Sequence, residues 1–199
     1  MRTFLSGTEA LTFEVGASIS LSTARALVPS RFEVEARTSL LLFKMSGLGV
    51  SLARFDYAEA LWRISIRHEG APAWFGVKCD LDHPIVRTLG ALVVRYPTRA
   101  AKIVGSEGRW RVEASEGKLD VRVSDEDVAE VPPLRRVFVG DAYEIPWDEE
   151  PPARARSARL NVTDDSLVRA TLGEDAKLDD HGVVHRGRVH MCGRARRLA

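Results

Sequence analysis

The sequence predicts a mainly β fold with a few short helices, and two kinds of observation predict it. The first is period-two alternation. Ala60, Trp62, Ile64 and Ile66 alternate with Leu61, Arg63, Ser65 and Arg67; Trp110 and Val112 alternate with Arg109, Arg111 and Glu113; Leu119, Val121 and Val123 alternate with Lys118, Asp120 and Arg122. Successive side chains on a strand point to opposite faces, so each run reads as a half-buried strand. The second is turn chemistry between the runs: Glu69-Gly70, Ser106-Glu107-Gly108 and Ser115-Glu116-Gly117 each place a glycine where a tight hairpin needs positive φ. Strands broken by turns about every ten residues argue for an antiparallel sheet or barrel, with a meander from Ala100 to Val123 as its clearest stretch.

Two short helices interrupt this pattern. Ser22 or Thr23 caps a turn running to Leu27, which Pro29 ends because proline disfavours helical geometry in the residue before it. Asp82 caps a second helix reaching towards Val93, with Pro84 near its first turn and Ile85, Val86 and Leu89 as its apolar face; the adjacent His83 is then exposed. Val131-Pro132-Pro133 and the stretch from Pro146 to Pro152 read as loops, either connections or lids.

A chain of 199 residues that is 45% hydrophobic is long enough for one sizeable core, so residues 1–199 read as a single domain. A net charge of +1 gives no field to attract nucleic acid or anionic lipid. Arg186, Arg188, Arg194, Arg196 and Arg197 lack interleaved aromatic residues and read as a solvated face. Cys79 and Cys192 form no ligand or disulfide pattern. His185 and His190 are an odd number of residues apart and would point to opposite faces of a strand, so no metal is expected from them and His181. The sequence has no G-x-S-x-G elbow and no phosphate-cradling glycine motif, so no cofactor is expected. The start lacks an apolar targeting segment and no apolar run approaches ~20 residues, from which a soluble, cytoplasmic chain without a membrane partner is expected. Nothing in the sequence signals an oligomeric state.

Three short motifs follow one another in the first half of the chain. Gly47-Leu48-Gly49 precedes Tyr57-Ala58-Glu59; Asp82 precedes an apolar run ending at Gly90; and Tyr96-Pro97 is followed by Thr98 and Arg99. In this order they resemble the acetoacetate decarboxylase-like superfamily, over roughly residues 21–104. The resemblance implies a cone-like β-barrel and an active-site glutamate at Glu59. In the decarboxylases the aromatic-proline pair is followed by two lysines: the first forms a Schiff base with the keto acid and the second keeps it uncharged. Thr98 and Arg99 stand in those places here. Thr98 has no amine and makes no imine. A functionally uncharacterised bacterial branch of the superfamily looks similar, with an Arg-Ala-like stretch after its Tyr-Pro. The segment from Arg135 to Gly140 and the carboxy-terminal HRGRVHMCGRARRL also resemble that branch.

The candidate ligand-binding residues are Tyr57, Glu59, Arg95, Thr98, Arg99 and Lys44, with Glu59 the one catalytic candidate. By alternation Glu59 shares a face with Leu61, Arg63 and Ser65: it is either a buried acid or base near Arg63, or a solvated carboxylate at a strand end. Lys44 shares a face with Leu40 and Leu42. It stands where the resemblance places another acidic residue, and is either desolvated or reaches water over an apolar stem. Arg95 and Arg99 either clamp a carboxylate or are exposed strand charges. The resemblance implies that Tyr57, Glu59, Arg95 and Thr98 approach one cavity, with Lys44 in an ion pair to Glu59. The leading reading is a small-molecule-binding protein for a carboxylate or carbonyl compound, without Schiff-base decarboxylation. An enzyme of altered chemistry using Glu59, and a structural or interaction protein with a vestigial pocket, are the alternatives.

Overall fold

Each alternating run forms a strand. The computed structural model describes residues 9–50, 53–128, 137–140, 143–146, 148–149, 154–187, 189–190 and 195–198. In chain order the elements are β1 (Glu9–Ser18), α1 (Leu21–Leu27), β2 (Glu33–Val50), β3 (Ala53–His68), β4 (Ala71–Leu81), α2 (Pro84–Leu89), a π-helical turn (Gly90–Val94), β5 (Thr98–Ser106), β6 (Arg109–Ala114), β7 (Gly117–Val128), β8 (Val137–Val139), β9 (Tyr143–Pro146), β10 (Asp148–Glu149), β11 (Arg154–Asp164), α3 (Ser166–Leu172), β12 (Lys177–Gly187), β13 (Val189–His190) and β14 (Arg196–Arg197).

Nine of the described strands pair in the order β4-β3-β2-β1-β12-β11-β7-β6-β5, and β5 returns to β4 to close a barrel. The pairs are antiparallel except at the closure, where Cys79, Asp80 and Leu81 run parallel to Thr98, Arg99 and Ala100. The barrel is therefore predominantly antiparallel, as the alternation and turns suggested, with one parallel pair that makes it mixed. The amino-terminal half of β4 stays paired with β3 but takes a different partner on its other edge: Trp74 and Phe75 pair with Phe138 and Val139 of β8. Between these two partners, residues 76–78 have no strand neighbour on that edge among the described residues. The β3–β4 hairpin uses Glu69 and Gly70, both at positive φ (51° and 78°), the two-residue geometry that matches strand twist.

Two apolar clusters follow from the alternation. The first takes residues from all nine barrel strands, among them Phe13, Leu40, Trp62, Phe75, Ile103, Trp110, Val121, Leu160 and Val184, and so fills the barrel interior. The second lies on the outer face of β2, β3 and β4 and includes Phe43, Met45, Tyr57, Leu61, Cys79 and Leu81, covered by Val86 of α2, Tyr96 and Ile145 of β9. Burying each such large side chain contributes roughly 1.5–3 kcal/mol. Because both faces of β3 are covered, a polar residue on its outer face is also removed from water.

The helices depart from expectation in detail. Ser20, not Ser22 or Thr23, caps α1, accepting from the Thr23 N–H at 3.1 Å. His83 caps α2 through Nδ1, 3.4 Å from the Val86 N–H, and is half-buried. Asp82 is not the cap, because its carboxylate accepts from the Ala58 N–H at 2.8 Å and secures the end of β3. α3 is a third helix that the sequence reading lacked; Leu167, Val168 and Leu172 join the barrel core. Asp148–Glu149, expected in a loop, pairs with Val189–His190, whereas residues 131–133, 147 and 150–152 lie outside the described residues. No helix among the described residues is long and apolar enough to cross a membrane.

Candidate functional site

Glu59 sits in the middle of the outer cluster, opposite Phe43 on β2 and Leu81 on β4, and is only 5% exposed. Alternation puts Tyr57 and Leu61 on the same face, and Cys79 is opposite Leu61 on β4. Desolvation pushes the Glu59 carboxyl up to about 7, while hydrogen bonds from Cys79 and Tyr57 pull the other way. Burial raises the Cys79 thiol well above its usual range, and the neighbouring Glu59 raises it further. At neutral pH the cluster holds a carboxyl near half-protonation beside a neutral thiol.

Thr98 pairs with Cys79 across the barrel closure and so faces the same side of the sheet as Glu59. It is half-buried, and its Cγ2 packs so closely over Gly90 that a Cβ added there would lie 3.2 Å away. Where the resemblance places the Schiff-base amine, the structure places a hydroxyl. No lysine stands opposite Glu59 or Thr98: their strand partners are Phe43, Leu81 and Cys79.

Lys44 is elsewhere. It pairs with Ala58, on the Leu40 and Leu42 side of β2, and is exposed. Adjacent strand positions point oppositely, so the expected Lys44–Glu59 ion pair does not form. Arg63 is not a partner of Glu59 either. Its guanidinium bonds Glu14 and Ser39 and stacks on the Trp74 ring, 4.3 Å from the centroid.

Arg99 points into the barrel, opposite in direction to Thr98. It donates to both Asp80 carboxylate oxygens at 2.5 and 2.9 Å and to the Thr171 hydroxyl at 3.0 Å, and lies 3.3 Å from Glu116. Asp80, 0% exposed, also accepts from Trp62 Nε1 at 2.7 Å. Arg99 is therefore neither an exposed charge nor on the Glu59 face. Sequence reading missed Asp80, Trp62 and Cys79. A partial signal was present: a tryptophan on an apolar face needs an acceptor for its N–H, and Asp80 is a lone acid in the apolar end of a strand.

Arg95 stands apart from both groups. It ends the π-helical turn at φ 64°, is exposed, and lays its guanidinium 5.5 Å from the Tyr143 ring centroid. It lines a cleft of about 480 Å³ between α1 and β4 that does not include Glu59. The structure thus gathers Tyr57, Glu59 and Thr98 on one face, puts Lys44 and Arg99 on the other, and gives Arg95 a separate cleft.

Comparison with solved structures shows where this barrel's fold recurs. An acetoacetate decarboxylase-like enzyme from Sphingomonas wittichii RW1 superposes over 100% of this chain and 95% of its own, with a TM-score of 0.77 at 13% identity. The chain has the acetoacetate decarboxylase-like fold. The acetoacetate decarboxylase of Legionella pneumophila shares this fold at a TM-score of 0.68 and 11% identity, over 100% of this chain and 90% of that one. So does the enduracididine biosynthesis enzyme MppR complexed with pyruvate, at 0.72 and 13%, over 100% and 92%. No family model and no curated protein matches the sequence. At these identities the acetoacetate decarboxylase-like fold is what is shared, and chemistry has to be argued from the side chains.

Proposed function

We propose that this chain binds a small carbonyl- or carboxylate-bearing molecule and does not decarboxylate it through an imine. One observation carries the reading: Glu59 is a buried acid with its carboxyl near 7, on the same face as Thr98, with no amine opposite either residue. A carboxyl near half-protonation donates to a ketone or carboxylate oxygen in one state and accepts from a hydroxyl in the other. β3 and β5 flank β4 about 10 Å apart, so Glu59 and Thr98 stand on one face with Cys79 and Leu81 of β4 between them, and a short oxo acid reaches both by displacing part of the cover over that face. That MppR is complexed with pyruvate supports the ligand class. Without an amine nucleophile the electrons of a departing carboxylate have no imine to enter.

The test is a thermal-shift titration of the purified chain with pyruvate and acetoacetate, followed by borohydride treatment and intact mass. Saturable stabilisation is expected, because a ligand that binds only the native state raises apparent stability by mass action. It should be lost in Glu59→Ala, with no reduced adduct in the wild type. No shift with any short oxo acid, or an adduct on the wild-type chain, would overturn the proposal.

The Glu59 value also favours a second reading, an enzyme that uses this carboxyl as general acid or base on a carbonyl compound, since a catalytic group works best with a pKa near the operating pH. Turnover of an oxo acid, followed by NMR and abolished in Glu59→Gln, would select that reading.

A further inference from the structure

The geometry points to a second binding site, for a monocarboxylate with an apolar body, in the cleft beside Arg95. The cleft of about 480 Å³ is walled by Leu27, Val28, Phe75, Val77, Tyr96 and Pro97, and among the described residues Arg95 is the one charged side chain in its lining. That volume, with apolar side chains around a few polar groups, is what small-ligand sites present.

Three features give the occupant its charge. Among the described residues Arg95 has no carboxylate partner; Arg25, Arg54 and Arg87 share that state, but none of those three lines the cleft. Its guanidinium lies over the Tyr143 ring, 5.5 Å from the centroid, a contact that restrains the planar group, and a guanidinium fork matches the two oxygens of a carboxylate. Arg95 also occupies the left-handed cap of the π-helical turn, φ 64°, where glycine would sit without strain; a long cation is kept there at a cost.

The cleft's position follows from the division of β4. Phe75 pairs with β8 and Cys79 with β5, so residues 76–78 between them leave an edge without a strand neighbour among the described residues. Gly76 and Val77 line the cleft at that point. This gives the wall peptide groups as well as side chains, and a ligand with a polar group beyond its carboxylate has partners there. Glu59 does not line the cleft and lies further along the sheet opposite Leu81, with Tyr96 as the wall between the two places.

Isothermal titration calorimetry of the full chain with octanoate, and with octanamide as a neutral ligand of equal length, tests the assignment. Octanoate is expected to bind saturably and at least about ten-fold more tightly than octanamide, from the strength of a bidentate charged hydrogen bond. Arg95→Gln should abolish that preference, Arg95→Lys should keep part of it because a point charge survives without the fork, and Glu59→Gln should leave it unchanged. Ala26→Trp, at an exposed α1 position on the cleft, should block both ligands while circular dichroism reports an intact fold. Equal octanoate affinity in wild type and Arg95→Gln, or no saturable binding by the wild type, overturns the site. Loss of oxo-acid binding in Glu59→Ala with octanoate binding intact would separate the two sites.

Discussion

Asp80 and Arg99 stand opposite each other across the parallel junction that closes the barrel, and both point inward, joined by two hydrogen bonds. The barrel is sealed by three residue pairs on this edge, and the central pair is a salt bridge in an otherwise apolar interior. Trp62 on β3 and Thr171 on α3 bond to the same pair, so it ties the closing strands to the helix that fills the core.

Breaking this pair from one side should be far worse than removing it. With Asp80 at 0% and Arg99 at 9% side-chain exposure, Asp80→Ala leaves a buried guanidinium, and Arg99→Met a buried carboxylate. Each single substitution is expected to cost about 3–5 kcal/mol in urea unfolding. The double variant Asp80→Leu/Arg99→Met should be less destabilised than either single one. Additive losses would show that the two groups do not act as a unit.

Gly105 offers a packing test on the same barrel. It pairs with Trp110, fully buried, whose six-membered ring covers the glycine so closely that a Cβ would overlap it. Gly105→Ala must therefore push Trp110 into the core, at an expected cost of about 1–3 kcal/mol and with a changed tryptophan emission. Gly108→Ala is the control: its nearest neighbour would be 3.8 Å away, so it should stay within about 0.5 kcal/mol of wild type.

Local order was legible in the sequence and long-range order was not. The alternation at 60–66 and the hairpins near 70, 108 and 117 reappear because pleating and turn geometry act within a few residues, although of the three glycines expected at positive φ only Gly70 adopts it, and Gly117 already belongs to β7. The side of β3 on which Glu59 stands followed from period two. Its burial did not, since the cover comes from Tyr96 and Ile145, distant in sequence. Arg99 looked equivalent to Arg95, yet parallel pairing with β4 turns Arg99 inward while Arg95 caps the π-helical turn, and no local pattern encodes that pairing. α3 escaped notice because Ser-Leu-Val-Arg-Ala-Thr-Leu is a helix of only about two turns set between strands of similar composition.

Lys44 provides a check on the proposal that no Schiff base forms. It is exposed and separated from Glu59 by the sheet itself, so nothing brings it and that carboxyl to one carbonyl. Borohydride trapping with pyruvate and acetoacetate, followed by peptide mapping, should find no adduct on Lys44. A reduced adduct there would place the chemistry on the inner face of β2.

Glu59 should govern the pH dependence of stability. Burial raises its folded-state value to about 7 from 4.5, so between those values the native state holds a proton that the unfolded chain has lost. Stability from this group is therefore unaffected below about pH 4.5, falls as pH rises towards 7, and levels off above it. At 1.36 kcal/mol per unit the full decline is about 3 kcal/mol. Glu59→Gln keeps the shape and a donor but cannot ionise, so it should lack this decline: relative to wild type it should gain up to about 3 kcal/mol in urea unfolding at pH 8 compared with pH 4.5. Parallel stability profiles for the two proteins would mean that Glu59 ionises without penalty, and the buried acid on which the proposed function rests would be lost with it.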